Sequence, residues 1–163
     1  MSNIGWPLAH NVIRLGSRSN IFGMVRRRAD GTAKPHQGWD LEAPIGTPCR
    51  AIADGRIVEV RQGVDYGLTV VQSFMHEGRR LYAAFCHLSQ LSVARGDAVT
   101  RGQVIALTGD SGNAKGLTGR NLHLHFEIRD IALPGLGLAG RINPESLYGV
   151  CPLHSAIMGG ERV

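Results

Sequence analysis

The hydrophobic pattern of this chain consists of short apolar runs that are cut by glycine and by polar turns. Residues 49–60 alternate around Asp54-Gly55, a dipeptide common in hairpin turns, and predict two paired strands. The runs 68–74 and 80–86 flank a polar turn at Glu77-Gly78 and predict a second antiparallel pair. Strands of this length and spacing are typical of a mainly β fold.

The rest of the chain continues this pattern. Residues 93–107 resemble the strand-turn-strand hammerhead of lipoyl and biotinyl domains. A glycine-rich loop spans 109–119, and residues 122–129 predict the last clear strand. The 3.6-residue spacing of a long amphipathic helix is absent, apart from a short turn predicted at 145–148.

A length of 163 residues is that of one domain with a single core. We expect an irregular lead-in over 1–20, one domain over 21–148 and a loosely held C-terminal tail over 149–163. No stretch has the length and hydropathy of a membrane span, and the first residues lack the basic start and apolar centre of a signal peptide.

Composition narrows the choice of partners. The chain has 22 glycines, 19% charged residues and a net charge of +5, which favours anionic partners such as nucleic acid, teichoic acid or anionic glycan. The one basic triplet, Arg26–Arg28, is predicted to be a solvated face or loop. Because the basic residues are not interleaved with aromatic ones, we do not expect nucleic acid to be the partner.

The cysteines are isolated from one another along the chain. Cys49, Cys86 and Cys151 form no Cys-x-x-Cys pair, so neither a zinc knuckle nor a redox motif is predicted. We expect small buried residues at these positions. The alternative is one disulfide between Cys49 and Cys151, with Cys86 left as a free thiol.

Two histidines lie two residues apart in the last predicted strand. Because side chains alternate along a strand, His123 and His125 project from the same face of the sheet. Leu122, Leu124 and Phe126 take the opposite face, which we expect to pack in the core. A pair of solvent-facing histidines on an amphipathic strand is the alternative.

Three further residues complete the candidate chemistry. His36 and Asp40 flank Gly38, whose turn would bring both side chains to one point, and His87 ends a predicted strand. Neutral imidazole nitrogens and one carboxylate oxygen form a donor set that suits catalytic zinc, with one position left for water. Taken alone, a histidine at position 87 is more often a structural surface or core residue.

The order of these motifs is more specific than any one of them. His-x-Gly-x-Asp at 36–40, His-Leu-Ser at 87–89 and His-Leu-His-Phe-Glu at 123–127 resemble the lysostaphin-type (LytM-like) zinc endopeptidases of bacterial cell walls. The resemblance runs from about residue 22 to 147. It implies a single-domain antiparallel β-sheet fold of the LytM or duplicated hybrid motif type, with an active-site groove walled by loops.

The same resemblance implies the roles of the site residues. His36, Asp40 and His125 become the ligands of Zn2+, with water as the fourth. His87 and His123 flank the metal as catalytic residues. We assign His123 as the base for the water and His87 as the group that stabilises the oxyanion, although these two roles could be exchanged.

Two further residues of these motifs bear on the mechanism. No His-Glu-x-x-His helix is present, so acid–base chemistry of the thermolysin type is not expected. Glu127 falls on the strand face of His125. There it either orients that ligand or forms a surface charge.

The implied function is hydrolysis of peptide cross-links in peptidoglycan, with stem or bridge peptides as partners of a monomeric enzyme. D-alanyl–diaminopimelate bonds are the expected target, with glycine bridges as the alternative. We expect export by a route other than the Sec pathway, as a type VI secretion effector or a phage lysis enzyme, to the periplasm or wall of a target bacterium. An immunity protein would be a further partner.

Two other functions are weighed against this one. The first is a catalytically inactive LytM-like module that activates cell-wall amidases; such modules typically lose zinc ligands, which are all present here. The second is a biotinyl or lipoyl carrier built on the hammerhead segment. A carrier needs a lysine at the tip of a tight hairpin, and neither Lys34 nor Lys115 lies in such a context.

Overall fold

The computed structural model describes residues 4–160. In this range the helices are short, and none has the length and hydropathy that crossing a membrane requires. One α-helix, α1, spans Glu145–Tyr148. Four 3-10 helices span Arg14–Gly16, Arg18–Asn20, Gly112–Ala114 and Gly119–Asn121.

The described residues form thirteen strands. They are β1 (His10–Asn11), β2 (Gly23–Arg27), β3 (Ala33–His36), β4 (Trp39–Glu42), β5 (Pro48–Arg50), β6 (Gly55–Gly63), β7 (Gly67–His76), β8 (Arg79–Leu91), β9 (Ala98–Val99), β10 (Val104–Thr108), β11 (His123–Arg129), β12 (Arg141–Ile142) and β13 (Ile157–Met158).

Nine of these strands form one sheet, and every pairing in it is antiparallel. Its main path runs β12-β11-β8-β7-β6-β9. Off this path, β4 pairs with β11, and β10 bridges β5 and β8. Two small sheets, β1-β13 and β2-β3, complete the fold. The prediction of a mainly β, antiparallel fold is confirmed.

One predicted hairpin is present and the other is not. Strands β7 and β8 pair along their length around Glu77 and Gly78, whose φ angles of 48° and 76° suit a tight hairpin turn. The predicted pairing within 49–60 is wrong, because β5 pairs with β10 and β6 pairs with β7 and β9. The segment between β5 and β6 is buried and bonded to Gln72, so it crosses the core instead of reversing.

The hammerhead segment, residues 93–107, does not form an isolated strand-turn-strand unit. Strands β9 and β10 are separated by a turn at Gly102, but they pair with other strands and not with each other. Each strand thereby ties this segment to the main sheet.

The core lies on one face of the main sheet. Phe85 on β8 and Phe126 on β11 are fully buried, with ring centroids 5.4 Å apart. Trp39 on β4 is also fully buried, and its ring stacks with those of Trp6 and Tyr148. Burying aromatic side chains of this size supplies a large part of the hydrophobic stabilisation of a domain. The Phe85–Phe126 contact joins β8 to β11, and strand pairing holds β4 against β11.

The described parts of the predicted lead-in and tail are joined to each other. Strand β1 pairs with β13, Gly159 N donates to Ala9 O at 2.8 Å, and the Asn11 side chain donates to Ile157 O. The tail is therefore strand-paired rather than loosely held up to residue 160. Residues 1–3 and 161–163 of these two predicted segments lie outside the described residues.

All three cysteines are free thiols. Cys49 and Cys86 are fully buried, as expected of small core residues, and Cys151 is partly buried. The alternative of a disulfide between Cys49 and Cys151 is not observed.

Candidate metal centre

A bend between two short strands brings His36 and Asp40 together. Strand β3 ends at His36 and β4 begins at Trp39, one residue before Asp40, with Gly38 between the two strands. A Cβ atom at Gly38 would lie 2.2 Å from the Phe126 carbonyl oxygen, so only glycine permits this close approach of the backbone. As a result His36 Nε2 lies 3.1 Å from Asp40 Oδ1.

Strand pairing adds the third member of the group. In the register of β4 with β11, His125 lies directly opposite Asp40. Cross-strand partners have their Cβ atoms only about 5 Å apart, and here His125 Nδ1 reaches Asp40 Oδ1 at 2.8 Å. All three side chains are buried, and their ligand atoms lie within 4.8 Å of one another. Among residues 4–160 this is the one group of histidine, cysteine and acidic side chains with such geometry.

Outer hydrogen bonds orient both imidazoles. His36 Nδ1 lies 2.8 Å from the Ile21 carbonyl oxygen, to which it can only donate. His125 Nε2 lies 2.9 Å from Glu127 Oε1. When each histidine donates to these acceptors, the lone pairs of His36 Nε2 and His125 Nδ1 face Asp40 Oδ1. Two imidazole nitrogens and one carboxylate oxygen then converge, which is a donor set that fits zinc.

The protonation of this group favours a cation at its centre. Burial alone would raise the pKa of Asp40, but the neighbouring imidazoles of His125 and His36 hold it well below its usual range. Burial likewise opposes a charge on His125, yet the hydrogen bonds to Asp40 and Glu127 raise its pKa to about 9. Burial lowers the pKa of His36. A metal ion bound here would take the place of the His125 proton.

His87 and His123 lie beside this group. Their rings are 5.1 Å apart between centroids, and His123 Nε2 lies 3.7 Å from Asp40 Oδ1. His87 Nδ1 lies 2.8 Å from the Ser111 carbonyl oxygen, and His123 Nδ1 lies 2.8 Å from that of Asn121. The Ser111 carbonyl requires a proton on Nδ1 of His87, so Nε2 of that neutral ring is an acceptor. Nδ1 of His123 lies between the Asn121 carbonyl oxygen, to which it can donate, and Arg14 Nη1 at 3.1 Å, from which it can accept, so the bond that it makes sets which nitrogen of that ring carries the proton.

Both flanking histidines are held neutral. Burial, together with the nearby charges of His125 and His123, lowers the pKa of His87 to about 4. Burial also lowers the pKa of His123, and the guanidinium of Arg14 adds to this effect. At neutral pH these two imidazoles can therefore accept a proton from a group in the groove.

The backbone at His87 is unusual. Its φ angle is 61°, in the left-handed region that residues with a side chain rarely adopt. The register between β7 and β8 shifts at this point, and His87 N donates to the Tyr66 carbonyl oxygen at 2.8 Å. A single residue in this conformation costs about 1–3 kcal/mol. The distortion turns the ring of His87 toward the groove.

Glu127 is an internal residue and not a surface charge. It is fully buried, and its Oε2 accepts from Arg129 Nε at 2.6 Å and from Arg141 Nε at 2.9 Å. Its Oε1 accepts from His125 and from the Tyr66 hydroxyl. Burial opposes its charge, but the bond with His125 and the two guanidiniums lower its pKa well below the ordinary value. The surface alternative is therefore wrong.

Two arginines that the sequence did not indicate contact Asp40. Arg26 Nη2 lies 2.8 Å and Arg14 Nη2 lies 3.5 Å from Asp40 Oδ2, the oxygen that faces away from both histidines. Both guanidiniums also donate to Oδ1 of the buried Asn20. The prediction that the triplet 26–28 is a solvated face is wrong for Arg26. The β2-β3 hairpin turns it inward, which no local pattern could reveal.

These groups open onto a groove of about 1260 Å³. Its floor is the polar face of the main sheet, and its walls include β3, the β6-β7 turn and the loop 133–137. The groove contains all five histidine and aspartate residues identified from the sequence, namely His36, Asp40, His87, His123 and His125.

Comparison with known proteins gives the same family as the motifs. Residues 34–138 match the model of Peptidase family M23. The chain is 37% identical to the peptidoglycan DD-endopeptidase ShyA of Vibrio cholerae over 94 residues, which are 58% of this chain and 20% of that protein. The chain spans about a fifth of the length of the curated relatives that it matches.

Two solved structures have the same architecture. A zinc-containing peptidase from Vibrio cholerae superposes with a TM-score of 0.61 at 33% identity, covering 76% of this chain and 35% of that chain. The catalytic domain of lysostaphin from Staphylococcus simulans superposes with a TM-score of 0.62 at 25% identity, covering 80% and 90% respectively.

Proposed function

The chain belongs to peptidase family M23, a family of metallopeptidases, and we propose that it hydrolyses peptide cross-links of bacterial peptidoglycan with a zinc ion held by His36, Asp40 and His125. The convergence of these three buried ligand atoms is the observation that carries the proposal. The hydrogen bonds to the Ile21 carbonyl and to Glu127 support it, because they leave both imidazole lone pairs directed at one point. We also propose that it acts as a monomer, since the three proposed ligands come from one chain.

Zinc bound in such a site lowers the pKa of water toward about 7 and polarises a peptide carbonyl as a Lewis acid. The protein supplies the proton transfers. His123 is the proposed base, because burial holds its ring neutral and its Nε2 lies 3.7 Å from Asp40 Oδ1. Water adds its oxygen to the carbonyl carbon, and its proton passes through the histidines to the amine that leaves.

His87 is the proposed stabiliser of the oxyanion. Because its Nδ1 proton is donated to Ser111, its Nε2 can donate only when the ring is an imidazolium. A charge on the ring of His123, 5.1 Å away, disfavours that state. We therefore expect the two rings to carry one additional proton between them, which moves as the reaction proceeds.

The proposed target is the D-alanyl–diaminopimelate cross-link. Relatives named as peptidoglycan DD-endopeptidases support this choice over glycine bridges, although the chain covers only part of each. Peptidoglycan lies outside the cytosol, so the proposed place of action is the periplasm or cell wall of a target bacterium. Delivery by a type VI secretion system or by a phage, and an immunity protein that covers the groove, stay predictions.

The test of the chemistry uses the purified chain reconstituted with zinc. Gram-negative and staphylococcal peptidoglycan are digested with and without a chelator, and the fragments are identified by mass spectrometry. We expect about one zinc per chain and chelator-sensitive cutting of the diaminopimelate cross-link. Cutting of glycine bridges alone would reject the proposed bond. A chain that binds no zinc and cuts neither substrate would support the inactive amidase-activating module instead.

Variants separate the ligands from the catalytic residues. His87→Ala should keep the zinc and lose turnover by about 10²- to 10⁴-fold, the range of general acid–base contributions. His10→Ala is the matched control, because His10 is an exposed histidine on β1 outside the groove. Loss of zinc from His87→Ala would show that the division between ligand and catalytic histidines is wrong.

The test of location uses a secretory leader. Fused to such a leader in a Gram-negative host, the chain should round or lyse the cells, because cutting cross-links lets turgor open the wall. His87→Ala and His123→Ala should abolish this effect. Equal toxicity with and without the leader would point to a cytosolic target and contradict the proposal.

A further inference from the structure

The groove carries more positive charge than its chemistry requires. Seven basic side chains line it, whereas only two carboxylates do, Asp40 and Asp65. The basic residues are Arg14, Arg26, Arg28, Lys34, Arg61, Arg129 and Arg141.

Internal ion pairs account for only part of this excess. Arg14 and Arg26 share the carboxylate of Asp40, and Arg129 and Arg141 share that of Glu127 beneath the groove. Each pair of arginines therefore retains one uncompensated charge. A bound zinc ion would add to the positive potential of the groove.

Two of the seven basic side chains that line the groove are available to a ligand. Lys34 and Arg61 are exposed, and within residues 4–160 neither side chain makes a hydrogen bond or an ion pair. Lys34 is two residues before His36 on β3, so it shares the strand face that leads to the metal group. Arg61 on β6 lies opposite Thr69 on β7, and both line the groove. These two cations stand on different sheets, on separate walls of one groove.

We propose that this groove selects stem peptides whose carboxylates are free, and that Lys34 and Arg61 are specificity-determining residues. The inference rests on the proposed function. A peptidoglycan stem presents single carboxylates at intervals, on its isoglutamate and its diaminopimelate, and amidation of either residue removes a charge without changing the shape. Cations that are spaced along a groove match a ligand with separated carboxylates. A compact polyanion would instead be bound by a dense cluster of basic residues.

The expected size of the effect is moderate. An exposed ion pair contributes about 0.2–1 kcal/mol, so each contact should change the affinity up to about 5-fold. The effect of Lys34 and Arg61 should act on KM and leave kcat nearly unchanged, because neither side chain belongs to the metal group or to the two flanking histidines. It should also weaken with salt, since the screening length is only about 8 Å at 0.15 M ionic strength.

The experiment compares two synthetic cross-linked peptide dimers. One has free carboxylates on isoglutamate and diaminopimelate, and in the other these groups are carboxamides. We expect the zinc-loaded chain to cut both, with KM about 10-fold higher for the amidated dimer. Lys34→Gln and Arg61→Gln should each raise KM for the free-carboxylate dimer about 3- to 5-fold without changing the amidated one. Arg95→Gln, at an exposed arginine outside the groove, is the control.

The outcomes separate this inference from the proposed function. Equal KM values for the two dimers, with both cut, would overturn the inference and leave the hydrolase proposal intact. If neither dimer is cut, the proposed bond specificity fails, and the dissociation constants of both dimers for the zinc-loaded His87→Ala variant decide the inference. Tighter binding of the free-carboxylate dimer supports it, and equal binding overturns it.

Discussion

The two faces of β11 are equally buried but differently stabilised. All seven residues of the strand are buried. On one face, Leu124, Phe126 and Ile128 pack in the apolar core. On the other, His123, His125, Glu127 and Arg129 each have a hydrogen-bond partner. Burial alone therefore does not distinguish the core from the site.

The difference lies in what replaces water. Apolar side chains gain free energy in proportion to the area they bury, and one can be exchanged for another of similar volume. Buried polar groups need specific partners, because an unpaired one costs several kcal/mol. We expect small changes of apolar side chains on the core face to have little effect. On the polar face, removal of one hydrogen-bond partner should disrupt the site.

Substitutions at neighbouring positions of β11 should have different effects, namely loss of zinc and activity on the polar face and loss of stability on the core face. The largest expected effect is on the polar face. His125→Ala removes a proposed zinc ligand and should reduce both bound metal and activity to background. The folded state should persist, because the removed side chain faces the groove. Metal analysis and circular dichroism of the same sample provide the measurement. Retention of one tightly bound zinc would contradict the ligand assignment.

Phe126→Ala should reduce the stability of the fold instead of the binding of metal. Deleting a fully buried phenylalanine leaves a cavity and costs about 3–5 kcal/mol of unfolding free energy. Denaturant titration would measure the loss. The fraction that stays folded should still bind zinc, because Phe126 points away from the metal group. A change in zinc affinity without a change in stability would show that the two faces are not separable.

Glu127→Gln tests the outer layer of the polar face. The amide keeps an acceptor near His125 but loses the charge that Arg129 and Arg141 share. We expect zinc affinity to fall about 10- to 100-fold, the range for groups that orient metal ligands. Competition with a chromophoric chelator measures it, and Glu59→Gln, a half-buried position on β6, is the control.

The stability of the metal-free protein should depend on pH through Glu127 on the polar face. The pKa of Glu127 is lowered in the folded state, so its contribution is complete above the ordinary value of 4.5. Below that pH it should decline by about 1.4 kcal/mol per unit, because the unfolded chain binds the proton more tightly. The stability difference between wild type and Glu127→Gln should therefore shrink on acidification. The loss caused by Phe126→Ala should show no such trend.

The smallest expected effect is that of Ile128→Val on the core face. Removal of one methyl group from this fully buried side chain should cost about 0.5–1.5 kcal/mol and leave zinc affinity unchanged. A loss of several kcal/mol in thermal unfolding would show that this face is less tolerant than its apolar packing suggests.

Much of the site could be predicted from the sequence because its key pattern is local. A two-residue spacing fixes the common face of His123 and His125 whatever the surrounding fold. The strands β7 and β8 follow from their own alternation and a hairpin turn. The order of three motifs then indicates the family, and with it the convergence of segments that are far apart in the chain.

The rest depends on contacts that no local pattern encodes. Arg14 and Arg26 contact Asp40 only because the lead-in and the β2-β3 hairpin fold against β4. An isolated arginine in a polar segment reads as a surface charge. The wrong hairpin at 49–60 has the same origin, since the partner of β5 is β10, more than fifty residues later. Contacts between distant parts of the chain therefore determine both the arginine contacts with Asp40 and the pairing of β5.

The left-handed backbone of His87 has a consequence for protein engineering. Glycine or asparagine would adopt φ = 61° with less strain, so either should make the protein more resistant to heat. Natural proteins often retain such a cost where activity requires it. A laboratory selection for thermostability alone should therefore enrich glycine or asparagine at position 87 and remove an imidazole that the enzyme needs. If His87 has the proposed catalytic role, libraries built to stabilise this domain should keep that codon fixed.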